Sequence, residues 1–92
     1  MRQKNFSLIK SFKALSDQNR LKILCLIYKN KNICVSDIAE KLSISVAIAS
    51  FHLHSLSRVG LVSPKRNGKK ICYLLCRDSF AKDLKKLICK YK

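Results

Sequence analysis

The sequence has few acidic side chains and no long apolar run, and each shortage excludes a class of protein. Only five Asp and Glu residues stand against twenty Lys and Arg, which gives a formal net charge of +15. No stretch of about 18 uncharged apolar residues occurs, so we predict no transmembrane helix and no membrane partner. Residues 1–12 are charged throughout and lack the apolar block of a signal peptide, so we expect a cytoplasmic protein.

Motifs of common enzyme active sites are absent as well. The sequence has no Ser–His–Asp pattern, no paired carboxylates and no C-x-x-C pair, and 92 residues leave little room for a substrate cavity. Its two histidines, His52 and His54, limit the metal sites that can be built. We predict one non-enzymatic domain over residues 1–92, with no cofactor and no resident metal.

The excess of positive charge favours a polyanionic partner. A field of this size on a small domain attracts phosphates, and double-stranded DNA is the obvious candidate. Abundant Lys, Asn and Ile are also typical of proteins encoded by AT-rich genomes. The charge alone therefore leaves both explanations open. DNA binding is favoured only when the charge is combined with the order of helices and strands along the chain.

Helical and strand patterns succeed one another along the chain in a recognisable order. Helical spacing of apolar residues is found over residues 5–15, from a cap at Ser16 or Asp17 to Lys29, over 36–42, within 43–59, and from Asp78 or Ser79 to the C-terminus. Strands are predicted over residues 61–65 and 69–76, joined through Asn67-Gly68, a pair that favours a tight hairpin turn. The order α-α-α-α-β-β-α, mainly α with a β-hairpin (α+β), predicts a winged helix-turn-helix.

The fourth predicted helix is the one around which the rest is organised. Ser43 and Ser45 offer hydroxyl groups that cap a helix start, and Gly60 suits the left-handed conformation just past a helix end. One face is apolar at helical spacing, and the opposite face carries no acid. In so basic a chain, such a helix is a candidate for insertion into the DNA major groove.

The predicted DNA contacts lie at the end of the third helix, on the fourth helix and on the hairpin. They are Lys41, Ser43, Ser45, Val46, Ala47, Ile48, Ser50, Phe51, His54, Lys65, Arg66, Lys69 and Lys70. Few of these side chains can read base edges by hydrogen bonds. We therefore expect most of the affinity to come from phosphate contacts, with thymine methyl groups and DNA shape supplying part of the specificity.

Four sequence segments indicate a protein family more specifically than the order of helices and strands does. The segments FKALSDQNRLKILCLI, CVSDIAEKLSIS, FHLHSLSRVGLV and KRNGKKICYLL together resemble the ArsR/SmtB family of bacterial repressors over about residues 12–89. The resemblance implies a homodimer that covers a promoter and releases DNA when it senses an inducer. It also implies that His52, which matches a histidine of the family pattern, holds the helix by hydrogen bonding.

Family members pair through their first and last helices. The apolar stripes on these two helices of the present chain fit that arrangement, although they were identified from spacing alone. The predicted dimer interface consists of Phe6, Ile9, Phe12, Phe80, Leu84, Leu87 and Tyr91.

Five cysteines in an intracellular chain favour thiol or metal chemistry over a structural disulfide framework. One metal-sensing branch of the family carries C-x-C at the start of the third helix, where this chain has Cys34 and Ser36. Other branches use histidines on the last helix, which has none here. A soft-metal site made of scattered thiolates stays open as an alternative, as does a regulator without an inducer.

The persulfide-sensing branch matches better. Its members carry one cysteine in the second helix and one near the end of the last, and Cys25 and Cys89 occupy those positions. The resemblance implies redox sensing by this pair, with sulfane sulfur or another oxidant as the small inducer. Two features count against this prediction. Cys89 falls roughly opposite the apolar stripe of its helix, and Cys25 can be explained more simply as a small core residue.

Two further expectations concern the remaining cysteines and the class of function. Cys34 and Cys72 are predicted to be packing residues, and Cys72 and Cys76 share a strand face. The apolar residues of the fourth helix also suit a winged-helix protein-interaction module, which is the alternative from a different functional class.

Overall fold

The computed structural model describes residues 8–30, 32–76 and 79–91. Within these ranges the elements are α1 (Leu8–Leu15), α2 (Gln18–Lys29), β1 (Ile33–Cys34), α3 (Val35–Leu42), α4 (Val46–Arg58), β2 (Val62–Asn67), β3 (Lys70–Leu75) and α5 (Ser79–Tyr91). The predicted winged helix-turn-helix is confirmed, with the short strand β1 as an addition. No helix in the described part of the chain is long and apolar enough to cross a membrane.

The caps explain where the central helices begin. The Asp17 carboxylate accepts hydrogen bonds from the backbone N–H groups of Asn19 and Arg20, at 2.8 and 3.1 Å, and so starts α2. The Ser45 hydroxyl accepts from the N–H of Ile48 at 3.0 Å and starts α4. Both caps agree with the sequence prediction, because a capping side chain acts within three residues of its own position.

Ser43 does not cap α4 as predicted. It ends α3 instead, with φ at 57°, and its N–H donates to the carbonyl groups of Ala39 and Glu40. This left-handed residue turns the chain sharply, so that only two residues separate Ser43 from the start of α4. Gly60 has the predicted left-handed conformation after α4, with φ at 81°.

Other predicted boundaries shift slightly. The helix α3 begins at Val35, one residue before the predicted Ser36, where the Asp37 carboxylate accepts from the Cys34 N–H at 3.4 Å. The predicted start of α1 at Asn5 and the proposed cap at Asp78 lie outside the described residues.

The three strands form an antiparallel sheet in the order β1-β3-β2. Pairing of Asn67 with Lys70 leaves Gly68 and Lys69 as a two-residue turn, and Gly68 supplies the positive φ, 67°, that the first turn position requires. The turn therefore falls one residue later than predicted, with Asn67 inside β2. The strand β1 was not predicted, because two residues are too short to show an alternating pattern.

The core lies between the helices and one face of this sheet. It consists of Leu15, Ile23, Leu24, Ile27, Ile33, Ile38, Ala39, Ala49, Leu53, Leu56, Leu61, Val62, Tyr73, Ala81 and Leu84. Since α3 and α4 both contribute fully buried side chains, the helix-turn-helix is held rigidly by its inner face, and its outer face is left free.

A buried histidine ties α4 to the start of α2. Arg20 donates from Nε to Nδ1 of His52 at 3.2 Å and from Nη1 to the carbonyl oxygen of Ala14 at 3.3 Å. His52 is nearly buried, so this bond satisfies a ring nitrogen that water cannot easily reach. The predicted structural role of His52 is confirmed.

Candidate DNA-contact surface and thiol site

The outer face of α4 is unusually apolar. Val46, Ile48 and Phe51 are 55%, 48% and 61% exposed, although burial in the protomer would be the favourable state for such side chains. Ala47 and His54 are also exposed, whereas Ser50 is half-buried. The predicted contact residues of α4 are thus accessible to a partner, apart from the half-buried Ser50.

Few hydrogen-bonding groups on this face are free to contact a partner. The Ser45 hydroxyl already accepts from the N–H of Ile48, and the Ser55 hydroxyl donates to the carbonyl oxygen of Phe51 at 3.2 Å. His54 is left as an exposed polar ring among apolar neighbours. The chemical character of the surface is therefore methyl and aromatic groups with one imidazole.

Basic side chains are exposed on the two elements that adjoin α4 in the fold, α3 and the β2–β3 hairpin. Lys41 and Ser43 are exposed where α3 ends, and Arg66, Lys69 and Lys70 are exposed at the tip of the β2–β3 hairpin. Lys65 is exposed as well, but it lines a cleft that it shares with α5. Sequence reasoning assigned Lys65 to the wing alone, because nothing local indicates which side of the hairpin faces α5.

The cleft has a volume of about 780 Å³ and lies between the end of α2, the sheet and α5. An apolar floor is made by Ile27, Tyr73 and Leu75, and cationic groups surround it. Its other lining residues are Tyr28, Asn30, Asn32, Lys65, Leu74, Cys76, Lys82, Lys85, Lys86 and Cys89. We call it the α2–α5 cleft.

Tyr28 connects the two cysteines of the predicted sensing pair. Burial of the phenol raises the pKa of Tyr28, and the neighbouring thiols of Cys25 and Cys89 raise it further, because their ionised forms would repel a phenolate. Lys85 places its Nζ 5.9 Å from the centre of the Tyr28 ring. The hydroxyl of Tyr28 is buried and has no hydrogen-bond partner.

Cys25 and Cys89 therefore lie around one tyrosine, on α2 and α5. Cys89 is exposed and Cys25 half-buried, so a reagent in solvent meets Cys89 first. Sequence reasoning missed Tyr28. The available signal was its position three residues after Cys25, which places both side chains on one face of α2.

Cys34 and Cys72 form a disulfide bond with an S–S distance of 2.03 Å. Both are buried, as predicted, but the expectation that they are simple packing residues is wrong. The antiparallel register of β1 and β3 pairs Cys34 directly with Cys72. The sequence did not predict this disulfide bond, because the strand β1, which brings Cys34 opposite Cys72, was not predicted either.

The predicted dimer face is largely exposed. Ile9, Phe12, Leu87 and Tyr91 are 70%, 51%, 53% and 72% exposed, and Phe6 lies outside the described residues. The half-buried Phe80 meets Phe12 edge to face, with ring centres 6.5 Å apart, so α1 and α5 contact each other at this pair.

Leu84 is a correction to that set. It is 5% exposed and belongs to the core of its own protomer. The helical stripe was identified correctly, but α5 is rotated so that Leu84 points inward, and Leu87 and Tyr91 are left at the surface.

No group of three or more His, Cys, Asp or Glu side chains suited to a metal ion occurs within residues 8–30, 32–76 and 79–91. His54 lies on the outer face of α4 and His52 is held by Arg20. The described residues therefore do not gather the three thiolates that a soft-metal site would need.

Among curated proteins, the chain is similar to the cadmium resistance transcriptional regulatory protein CadC of Listeria innocua, with 44% identity over 64 residues. The match covers 70% of this chain and 54% of CadC, so it spans about half the length of that relative. CadC is named as a regulator and not as an enzyme, in agreement with the sequence prediction.

Two solved structures have the same fold. Reduced HlyU from Vibrio cholerae has a TM-score of 0.77 and 28% identity, over 90% of this chain and 86% of HlyU. The homodimeric winged helix-turn-helix domain of Mb0332 from Mycobacterium bovis has a TM-score of 0.76 and 28% identity, over 89% of this chain and 71% of that one.

The family comparison agrees with these likenesses. The model of the bacterial regulatory protein arsR family matches residues 17–64, which run from the α2 cap through the helix-turn-helix into β2. This match covers more than half of the 92 residues. The chain belongs to the arsR family of bacterial regulatory proteins.

Proposed function

We propose that the chain is a homodimeric, DNA-binding transcriptional repressor of the cytoplasm, whose operator affinity falls when Cys25 and Cys89 become crosslinked. The observation that carries the proposal is the exposed, acid-free outer face of α4, next to a basic hairpin in a chain of net charge +15. A surface of this kind attracts phosphates at its edges and presents a helix of suitable width to the major groove.

DNA binding uses two kinds of contact. Lys41 and the basic residues of the hairpin neutralise phosphates and fix the register of the protein on the duplex. The α4 face, with Val46, Ala47, Ile48 and Phe51, lies in the major groove and contacts base edges. Covering the promoter in this way excludes the transcription machinery.

The dimer brings two copies of α4 to one operator. Five exposed apolar side chains on α1 and α5, those of Leu8, Ile9, Phe12, Leu87 and Tyr91, form a face that water solvates poorly, and a second copy buries it. The Mb0332 domain, described as homodimeric, supports this arrangement.

Thiol chemistry supplies the switch. The Cys89 thiolate attacks the terminal sulfur of a hydropersulfide RSSH, which forms a Cys89 persulfide and releases the thiolate RS⁻. The Cys25 thiolate then attacks the Cys89 Sγ atom, which forms a Cys25–Cys89 disulfide and releases HS⁻. The two cysteines are oxidised by two electrons, the sulfane sulfur is reduced, and the two thiol protons go to water.

The crosslink ties α2, which is packed in the core, to α5, which carries part of the dimer face. Any change in the α5 position alters the spacing of the two α4 helices and hence the fit to the operator.

The test is a DNA-binding titration on the protein's own promoter, comparing reduced protein with protein treated with inorganic polysulfide. We expect treatment to weaken binding at least tenfold, as in typical allosteric couplings of about 1–3 kcal/mol. Cys25→Ser and Cys89→Ser should bind like the reduced protein under both conditions. Cys76→Ser, which keeps the pair, should respond like the unmodified chain.

Two results would contradict the proposal. Equal affinity of reduced and treated protein for the promoter would contradict the thiol switch, and absence of any promoter-specific binding would contradict the repressor function.

A cadmium-responsive regulator is the second candidate, because CadC is 44% identical over the matched segment. If this candidate is right, cadmium added to the fully reduced, unmodified chain should release the promoter DNA. The Cys34→Ser variant should keep its DNA under the same conditions.

A further inference from the structure

Cys89 lies in a strongly cationic surrounding. Three lysines of its own helix, Lys82, Lys85 and Lys86, line the α2–α5 cleft with it, and Lys65 approaches from the hairpin. No Asp or Glu is among the described residues that line this cleft, since Asp83 of α5 does not contribute to it. Four lysines share one cleft with this thiol, and the side chains of all four are exposed, so together they form a local positive field.

The cleft also offers more than charge. Its floor is apolar, being made by Ile27, Tyr73 and Leu75. Cationic groups over an apolar floor together suit a small anion with a polarisable body.

We propose that the α2–α5 cleft selects anionic sulfane-sulfur compounds, by attracting and holding them with Lys65, Lys82, Lys85 and Lys86 before Cys89 attacks. This inference adds selectivity for the inducer to the proposed function, and it rests on that function only in taking Cys89 as the reacting thiol. A neutral oxidant of the same intrinsic reactivity gains nothing from the field and reacts more slowly. The selectivity for the inducer thus resides in the lysines, and the chemistry resides in the cysteines.

The charge of the reagent can be varied separately from the thiol. Two aromatic disulfides, the dianion dithiobis(nitrobenzoate) and the neutral dithiodipyridine, both react by forming a mixed disulfide on the cysteine and releasing one chromophoric thiol. The portion of the rate that is lost in Cys89→Ser is assigned to Cys89. Any effect of a mutation on thiol ionisation changes both rates equally, so their ratio reports attraction of the anion alone.

The variant removes three lysines of the cleft as Lys82→Gln, Lys85→Gln and Lys86→Gln. We expect its rate with the dianion to fall about tenfold at low ionic strength, while its rate with the neutral disulfide changes less than about twofold. The fall with inorganic polysulfide should match that with the dianion. High salt should remove the difference between variant and unmodified chain.

The matched control removes the same formal charge elsewhere, as Lys41→Gln, Lys69→Gln and Lys70→Gln, all exposed and none lining the cleft. We expect this control to keep the anion-to-neutral ratio of the unmodified chain. An equal fall in both triple variants, or equal falls with both reagents in the cleft variant, overturns the inference. Because these rates are measured without DNA, failure of the repressor proposal is seen separately in the promoter titration.

Discussion

At the scale of single residues, a few side chains decide how the binding elements are held. Arg20 links three segments, since its side chain contacts His52 of α4 and the end of α1 while its N–H meets the Asp17 cap. The Asp17 carboxylate has a pKa held below its usual range, chiefly because the Arg20 N–H donates to it. The Asn19 N–H and the positive charge of Arg20 act in the same direction, against the opposing effect of burial.

Replacement of this cap gives a pH-dependent loss of stability. Asp17→Ala should lower the free energy of unfolding by about 1 kcal/mol at neutral pH, since two N–H groups lose their acceptor. A lowered folded-state pKa means that the carboxylate stabilises above its unfolded-state pKa, and that this contribution is lost as pH falls through the folded-state pKa. The difference between variant and unmodified chain, measured by urea unfolding from pH 7 downward, should therefore shrink only in strong acid.

Asp83→Ala is the control for Asp17→Ala. It removes an exposed carboxylate of α5 for which the structure shows no capping bond. We expect a change within about 0.5 kcal/mol. If Asp17→Ala is no more destabilising than Asp83→Ala at neutral pH, the assigned cap does not stabilise α2.

At the scale of secondary-structure elements, the outer face of α4 offers few hydrogen-bonding groups. The Ser45 hydroxyl caps the helix, that of Ser55 bonds to the backbone, and Ser50 and Ser57 are half-buried, so the most exposed groups are apolar. In the major groove, the apolar feature of a base pair is the C5 methyl group of thymine. An α4 face made of Val46, Ile48 and Phe51 should therefore read thymine by methyl contacts more than by hydrogen bonds.

Replacement of thymine by deoxyuridine in the promoter tests this reading. The substitution removes the methyl group and leaves base pairing unchanged. We expect affinity to fall about fourfold for each contacted methyl, which corresponds to about 0.8 kcal/mol per buried carbon. Phe51→Ala and Ile48→Ala should bind thymine and uracil duplexes more nearly alike.

Lys69→Gln serves as the control in the same titration. It should weaken binding to both duplexes and keep their ratio, because a phosphate contact does not distinguish the bases. If the unmodified chain binds the uracil duplex as tightly as the thymine duplex, the α4 face does not read methyl groups.

At the scale of the whole molecule, positive charge occurs both around the helix-turn-helix and on α5. The hairpin and the end of α3 are basic, and Lys82, Lys85 and Lys86 share α5 with exposed apolar side chains of the face assigned to the second copy. The charge of +15 favours DNA and opposes self-association. The proposed dimer therefore depends on burial of apolar area on α1 and α5.

A single lysine in that face should weaken the dimer. Leu87→Lys places a charge on a side chain that is 53% exposed, so the protomer should stay folded while the interface loses apolar contact. Sedimentation should show a shift toward monomer, and promoter affinity should fall by more than tenfold, because one copy holds only one α4.

Ile71→Lys is the matched control, since it adds the same charge to the hairpin at a side chain that is 40% exposed. It should remain dimeric. A Leu87→Lys protein that sediments as the unmodified chain does would show that the second copy binds elsewhere.

The sequence alone determined the features that act over a few residues. Asp17 and Ser45 cap helices through bonds to residues at most three positions away, and Gly60 and Gly68 supply positive φ where they stand. The stripe on α4 and the basic hairpin follow from spacing and composition in the same local way. The family resemblance, confirmed over residues 17–64, also resides in these segments.

Only the tertiary structure decided which distant residues meet. The register of β1 on β3 pairs Cys34 with Cys72, the rotation of α5 buries Leu84, and the packing of α5 near α2 gathers four lysines around Cys89. Each result depends on backbone pairing or helix rotation across tens of residues, which hydrophobic spacing does not specify. Cys25 and Cys89 were selected from the sequence, but the tyrosine between them and the cleft beside them are products of the fold.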